Sequence, residues 1–535
     1  MHCFPADRLL QGFPADCISR RNDNMLLVAP AGYGKSETIK YVIVPALNKK
    51  HGNKGVWNCA TTGLAAQAVG GATIHSQAGV KRGKGLPHLV IESLGKQPDR
   101  WGRWLAVNAI VIEECSMMSD GFLTLLDQVA KAAKQNDRPF GGVQIILVGD
   151  LAQLAPVPDY HRNPDTTSNI KHIKKPVGYL FESDAFKKGC FHCLRLKHCW
   201  RYDEKGELGQ FLSSLRLAHK LSPDLKQGLQ DLVTKTQVPL KDAVVLCTTR
   251  ERARAWSVSM LKSIPHPDKV FFGVDTRSAI KKVNTVADEN ADEVVADMQT
   301  AQSAADPGHA WYLDEDNKVR SLFSSIAAPP VVRLRVGAKV LCTMAIDKKV
   351  PVGSTGLVVS FRNPDEAVSD ALLTRFETGY GVTKAQINED WPSVCSDNAW
   401  PYVEFTTATG QEFRLCMPTL FTIEDNLDEV ICSRTQLPII LGYALTVHRA
   451  QGMTLDSVVF HMGGMFAFGQ LYTALSRVRN FMNLRVTGNI SGTLKLANKV
   501  VTAFEQACVW HTIDNSPGQL DFAKVGLEPE DDSEP

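Results

Sequence analysis

Residues 29–36 read Ala29-Pro30-Ala31-Gly32-Tyr33-Gly34-Lys35-Ser36, directly after the apolar run Met25–Val28 and at the start of a helix-like stretch, Ser36–Leu47. A strand, a tight turn and a helix in that order make a phosphate cradle. The small residues let backbone N–H groups wrap phosphate oxygens, Lys35 neutralises the β/γ oxygens, and the Ser36 hydroxyl completes a magnesium shell. The position that usually opens this motif with glycine is Ala29, so one permissive backbone site is missing. The loop predicts a nucleoside triphosphate as ligand, but alone it leaves kinase, GTPase, transporter ATPase and nucleic-acid motor open.

Two further strand ends carry groups of matching chemistry. Val111-Ile112-Glu113-Glu114-Cys115-Ser116-Met117 places paired carboxylates where a buried strand stops, the end at which open α/β sheets bind ligands. In such a pair the first acid, Glu113, faces the metal with Ser36, and the second, Glu114, orients or deprotonates the attacking water. Glu113 is longer by one methylene than the aspartate usual at this place. The strand Gln144–Val148 then leads into Gly149-Asp150-Leu151-Ala152-Gln153. The Gln153 amide can hydrogen-bond a terminal phosphate oxygen or the attacking water and change partners after hydrolysis.

These groups need elements to hold them. Strand-like runs recur at Met25–Val28, Gly55–Cys59, Ala109–Ile112 and Gln144–Val148, separated by helix-like stretches such as Gly121–Ala133. That alternation predicts a doubly wound α/β domain over residues 1–177, with a Gly-, Lys- and Arg-rich insertion at about 78–104. A second α/β unit is expected from Gly178, with strands at His192–Leu196, Ala243–Cys247 and Val458–Phe460. Residues 265–330 are polar and read as loosely ordered. Short β-rich runs over 331–421 (Val331–Leu334, Ala338–Cys342, Gly356–Phe361, Tyr402–Thr406, Glu412–Leu415) predict a small barrel that interrupts this unit, which resumes over 422–515 before an acidic tail, 516–535.

Composition narrows the class. The chain has 535 residues, 44% hydrophobic and 22% charged, enough for several packed cores. Its net charge of +2 requires any nucleic-acid contact to come from a local groove. Thirteen scattered cysteines read as reduced thiols, and no secretory signal or run near 18 apolar residues is found, which predicts a soluble intracellular protein. The P-loop starts so close to Met1 that little room is expected for an accessory N-terminal domain. Cys190, His192, Cys193, His198 and Cys199 tempt a zinc reading, but their spacing fits no common pattern and the interleaved Phe191, Leu194, Leu196 and Trp200 fit a half-buried strand.

With five motifs in order, the chain resembles the petite-integration-frequency (PIF) and RecD-like branch of superfamily 1 DNA helicases from about residue 25 to 490. The motifs are the P-loop with Thr61-Thr62-Gly63 through Thr73-Ile74-His75, Glu113-Glu114-Cys115-Ser116-Met117, Gly149-Asp150 through Pro156-Val157, Leu445-Thr446-Val447-His448-Arg449-Ala450-Gln451-Gly452, and Gly469-Gln470-Leu471-Tyr472 through Ser476-Arg477. The resemblance implies an α/β fold of two RecA-like P-loop domains, with a short hairpin insertion in the first and a small SH3-like β-barrel insertion in the second. ATP and Mg2+ would lie between them, touched by Lys35 and Ser36 from one side and by arginine fingers from the second domain, Arg477 and Arg201. Gln451 and Gly452 would lie near the γ-phosphate. Single-stranded DNA would cross Thr62, Gly63, Thr73 and His75 on the first domain and Thr446 and His448 on the second.

The activity so implied is an ATP-dependent DNA 5′-to-3′ helicase. It would be monomeric, not membrane-bound, and act on single strands and 5′-tailed duplexes in repair, recombination or telomere maintenance, in nucleus or mitochondrion if eukaryotic. Ala29, Glu113, Ala155 and Val352 depart from the family pattern. Two alternatives therefore stay open: a catalytically impaired helicase-like DNA-binding protein and an RNA helicase of the same superfamily.

Overall fold

The computed structural model describes residues 23–80, 87–157, 159–162, 172–175, 177–234, 243–277, 323, 326, 328–347, 349–350, 352–364, 394–395, 397–407, 410–424, 430–488 and 494–513. Residues 81–86 of the insertion expected at about 78–104, and the acidic tail (516–535), lie outside them, and the described remainder of that insertion is mostly helical, Pro87–Gly95 and Pro98–Ala106, and not a hairpin. The chain divides into two compact units, Met1–Ala255 with Ala444–Pro535, and Trp256–Tyr443.

The first unit contains two parallel sheets. The strands of these two sheets are β1 (Met25–Val28), β2 (Val56–Ala60), β3 (Ala72–Thr73), β4 (Ala109–Glu113), β5 (Gln144–Gly149), β6 (His192–Leu196), β7 (Val244–Cys247), β8 (Ala444–Thr446), β9 (Val458–His461), β10 (Leu484–Thr487) and β11 (His511–Ile513). The larger sheet runs β11-β6-β1-β5-β4-β2-β3 and the smaller β8-β7-β9-β10. Alternation along the larger sheet feeds two cores. Leu26, Val28, Ile110, Ile112, Ile145 and Leu147 face one, and Met25, Leu27, Ala109, Val111, Ile146 and Val148 face the other. Burial on both faces is why these strands read as unbroken apolar runs. The helix Asp120–Lys134 covers the first face, capped by the Ser119 hydroxyl, which accepts from the Phe122 amide.

The second unit is built of antiparallel strands. Gly410–Leu415, Trp400–Thr407, Thr355–Arg362, Lys339–Cys342 and Ile439–Leu441 form a five-stranded sheet in that order. A bulge between Val358 and Ser360 interrupts its register. Val340, Val358, Trp400, Val403, Phe405 and Ile439 fill its core. Val274–Arg277, Val430–Gln436 and Thr419–Glu424 form a separate three-stranded sheet.

Three expectations need correction. His192–Leu196 does not open the second α/β unit: β6 pairs in parallel with β1, Met25 opposite His192, and extends the first sheet. Residues 422–515 are not one body, because 422–443 belong to the antiparallel unit and β11 joins the first sheet beside β6. Finally, 265–330 is not loose throughout, since Lys269–Phe272 pairs with Val331–Leu334 and Val274–Arg277 with Cys432–Thr435. Charge counted over the whole stretch hid its strand-forming Val-Phe-Phe-Gly-Val core.

Among the described residues, no helix is long and apolar enough to cross a membrane.

Candidate nucleotide site

The P-loop leaves β1 and enters a helical run, Lys35–Thr38, then a π-helical turn, Ile39–Ile43, then Val44–His51. Gly32 has φ +91, and a Cβ there would lie 2.5 Å from the Arg201 Cβ. Only glycine lets the segment after β6 close on the loop, where the Trp200 amide donates to the Gly32 carbonyl at 2.8 Å. The Ala31 amide lies 3.4 Å from the Tyr472 hydroxyl, and the Tyr33 hydroxyl donates to Glu204. Lys35 Nζ donates to the Ala29 and Pro30 carbonyls at 2.8 and 3.0 Å. Its ammonium is held inside its own loop, and burial lowers its pKa against the pull of Asp150, Glu114 and Glu113.

β4 delivers the carboxylates. Ser36 Oγ donates to Glu113 Oε1, and the other Glu113 oxygen is buried without a hydrogen-bond partner. Burial first, and then the neighbouring Glu114 carboxylate, push the Glu113 carboxyl up to about 8. An orphaned, desolvated carboxylate oxygen beside a serine hydroxyl fits a hard divalent cation with oxygen ligands. At Glu114 the chain turns left-handed (φ 55, ψ 42). This conformation is strained for a non-glycine residue, and it separates the second carboxylate from the first. Gln451 Nε2 then donates to Glu114 Oε2 at 2.9 Å. A Cβ at Gly452 would lie 3.7 Å from Glu114 Oε1.

Two arginines complete the site. Arg477 is 1% exposed. It donates from Nε to the Thr473 carbonyl at 2.8 Å and from Nη2 to Gln153 Oε1 at 3.3 Å. Gly469 (φ +71) lets the helix Gln470–Leu475 begin against Gln153, where a Cβ would lie 2.2 Å from the Gln153 carbonyl oxygen. Arg201 Nη1 donates to the Ser476 carbonyl at 2.8 Å. Arg201 was expected from the second domain but follows β6 of the first sheet, a consequence of the β1–β6 pairing. Burial, then the like charge of Arg477, lower its pKa to about 10. Arg201 thus meets the like charges of Lys35 and Arg477 in a place that also holds Glu113, Glu114 and Asp150, and a polyanion such as a triphosphate would relieve the repulsion among the cations.

The hydroxyls expected on the DNA path cap helices. Thr62 accepts from the Ala65 amide, Thr73 from Ser76 and Thr446 from Arg449. Gly63 is exposed at the start of the helix Gly63–Ala68. His75 stacks on Phe122 with ring centroids 4.6 Å apart, and His448 stacks on Phe466 at 5.8 Å. Burial lowers both imidazole pKa values, so both rings are neutral at pH 7 and offer stacking surface more than charge.

A family model described as PIF1-like helicase matches residues 15–211. The chain is 28% identical to the ATP-dependent DNA helicase PIF1 of Candida albicans over 94% of its length and 57% of that protein's. It is 26% identical to the ATP-dependent DNA helicase RRM3 of Saccharomyces cerevisiae over 90% of its length and 65% of that protein's. The crystal structure of Pif1 helicase from Candida albicans superposes with TM-score 0.69 at 27% identity, covering 91% of this chain and 95% of that one. In sequence and in fold the chain is similar to PIF1 helicases. It spans about three fifths of the length of the curated relatives it matches.

The local sequence pattern does not reveal a buried network behind Gln153. Asp150 accepts from Arg216 Nη2 at 2.7 Å, from Tyr472 Oη at 2.9 Å and from Gln153 Nε2 at 3.3 Å. Arg216 also donates to both oxygens of Glu505, at 2.6 and 2.9 Å. Asp150 and Tyr472 stood inside quoted motifs and were legible as neighbours of named residues. Arg216 and Glu505 sit on ordinary amphipathic helices, Glu207–Arg216 and Lys499–Ala507, and no local pattern distinguishes them from surface charges.

Proposed function

We propose that this chain is an ATP-dependent DNA helicase that moves 5′-to-3′ along single-stranded DNA and couples hydrolysis to strand separation. The observation that carries this reading is the meeting of Arg477 with Gln153 and of Gln451 with Glu114, which joins motif residues far apart in sequence around the P-loop. The curated relatives named as ATP-dependent DNA helicases support it.

Lys35 and the loop amides bind the β and γ phosphates, with Lys35 leaving the Ala29 and Pro30 carbonyls to do so. Mg2+ held by Ser36 and Glu113 would supply charge neutralisation at the phosphate oxygens. Glu114 orients the attacking water and takes its proton on a carboxylate oxygen, while Arg477 and Arg201 stabilise charge on the transferring phosphoryl group. Gln153 reports the terminal phosphate, because it is bonded both to Arg477 and to Asp150. Unequal grip on DNA before and after hydrolysis gives a directed step.

The domain reading belongs to the same proposal. The two parallel sheets are the RecA-like halves, and the five-stranded antiparallel sheet is the SH3-like insertion. On this reading the protein works inside the cell, in a nucleus or mitochondrion if it is eukaryotic, with repair, recombination or telomere maintenance as its setting.

Purified protein should unwind a duplex with a 5′ single-stranded tail when ATP and magnesium are present, and Lys35→Ala should not. Unwinding only from 3′ tails overturns the polarity. ATPase stimulation by RNA and not DNA overturns the substrate, and DNA binding without hydrolysis by the wild type overturns the motor.

A further inference from the structure

The run Cys190, His192, Cys193, His198 and Cys199 tempts a metal reading in the sequence, but among the described residues no three His, Cys, Asp or Glu side chains gather to hold a metal ion. Cys193 has a different partner. From β6 its Sγ donates to Cys508 Sγ at 3.9 Å, across 315 positions of the chain. Both thiols are partly exposed, so a small solute reaches them. Cys342 and Cys416 in the antiparallel unit also lie near enough for one to act on the charge of the other, but they are 1% and 0% exposed and are shielded from such a solute.

The place of the pair gives it a consequence. Cys508 caps the helix Lys499–Ala507, which carries Glu505 behind the nucleotide site. Arg195 Nη2 donates to Glu505 Oε2 at 3.0 Å, and its guanidinium lies 4.0 Å from the Trp510 ring centre. Trp510 Nε1 in turn donates to the Glu505 carbonyl at 2.8 Å. Beyond Trp510 the chain joins the larger sheet only through β11, an edge strand of three residues. So short an edge element opens at low cost. A covalent link from Cys508 to β6 would hold the helix, and Glu505 with it, against that opening.

We propose that Cys193 and Cys508 are a redox clasp: a peroxide converts them to a disulfide that fastens the helix Lys499–Ala507 to β6, and a thiol reductant releases it. Burial raises both thiol pKa values, that of Cys193 to about 12, while the Cys193 hydrogen bond and the Arg195 charge oppose the rise at Cys508. Cys508 therefore ionises first and is the attacking group. Its thiolate displaces hydroxide from the peroxide by breaking the O–O bond, and the hydroxide takes up the proton that Cys508 released. The Cys193 sulfur then attacks the Cys508 sulfenic acid, and the sulfenic hydroxyl leaves with the Cys193 proton as water. The two sulfurs give up two electrons in all, and one peroxide becomes two waters. A disulfide of this kind is transient in a reducing compartment and reports its oxidation state.

The test treats the reduced full chain with hydrogen peroxide, removes the excess with catalase, and alkylates the remaining thiols with iodoacetamide in urea before peptide mass spectrometry. The expected product is a monomer with a peptide pair joined through Cys193 and Cys508, both unalkylated, and separated again by dithiothreitol. Oxidation should raise the thermal midpoint of the wild type by on the order of a few degrees, and dithiothreitol should reverse the rise. Cys193→Ser and Cys508→Ser should each fold with the midpoint of the reduced wild type and show no such rise. Both cysteines recovered alkylated, either one joined to a different cysteine, or their link found only in covalent dimers overturns the pairing. A link between them that leaves the midpoint unchanged, or a rise that persists in either serine variant, overturns the clasp. None of these readouts depends on ATP hydrolysis or DNA, so the outcome is separate from that of the helicase reading.

Discussion

The two compact units treat buried charge in opposite ways. In the antiparallel unit, Arg434 is the one charged side chain fully buried among the described residues. It is paired with both oxygens of Asp275 and donates to the Ala328 carbonyl at 2.9 Å. The parallel-sheet unit buries Lys35, Glu113, Glu114, Asp150, Arg477 and Glu505, and leaves Glu113 Oε2 and Gln451 Oε1 without hydrogen-bond partners. A buried group costs stability unless it is satisfied, so the first arrangement is complete in itself and the second is completed by a ligand. On the proposed reading, that difference assigns chemistry to one unit and scaffolding to the other.

The contrast can be broken at several points. Arg477→Ala should lower the DNA-stimulated ATP turnover number by on the order of 10³–10⁵-fold, measured by phosphate release at saturating nucleotide. Glu114→Gln removes the proton acceptor and should cost about 10²–10⁴-fold in the same assay, with fluorescent-nucleotide binding retained. Arg216→Ala leaves buried Asp150 with only the neutral donors Tyr472 and Gln153 and leaves Glu505 to Arg195 alone, and should destabilise the protein by about 3–5 kcal/mol in urea unfolding. Arg434→Ala strands Asp275 and should destabilise the other unit while leaving ATP turnover per folded molecule unchanged.

The smallest effect is a pH dependence. The folded Glu113 carboxyl lies at about 8 against an ordinary 4.5. The neutral acid is therefore favoured by the fold, and its contribution to stability is present below about 4.5 and lost as pH rises through about 8. Without nucleotide or magnesium, Glu113→Gln should raise the thermal midpoint more at pH 8.5 than at pH 5, by on the order of a few degrees. Equal shifts at the two pH values would remove the case for Glu113 as a cation-seeking group.

Most of the first sheet was legible because burial on both faces turns parallel strands into apolar runs, as at Met25–Val28 and Gln144–Gly149. The motif residues were legible because phosphate chemistry restricts residue type and spacing. What escaped depends on long-range pairing. His192–Leu196 reads as a strand, but nothing local says that its neighbour is β1, and the side from which Arg201 enters follows from that pairing. Ile439–Leu441 likewise completes the five-stranded sheet only through contact with Lys339–Cys342. Thr62, Thr73 and Thr446 looked like free phosphate-gripping hydroxyls and are helix caps, a distinction that requires knowing where each helix starts. Arg216 and Glu505 became visible only when the helices carrying them met behind Asp150.

The central claim is that the charged crevice of the parallel-sheet unit hydrolyses ATP. Its most direct test is phosphate release from ATP by purified wild type and Lys35→Ala, each with magnesium and a single-stranded oligonucleotide. The account predicts robust turnover by the wild type and loss of it in a folded Lys35→Ala protein. A folded wild type that releases no phosphate, or a Lys35→Ala protein that matches it, would contradict the account.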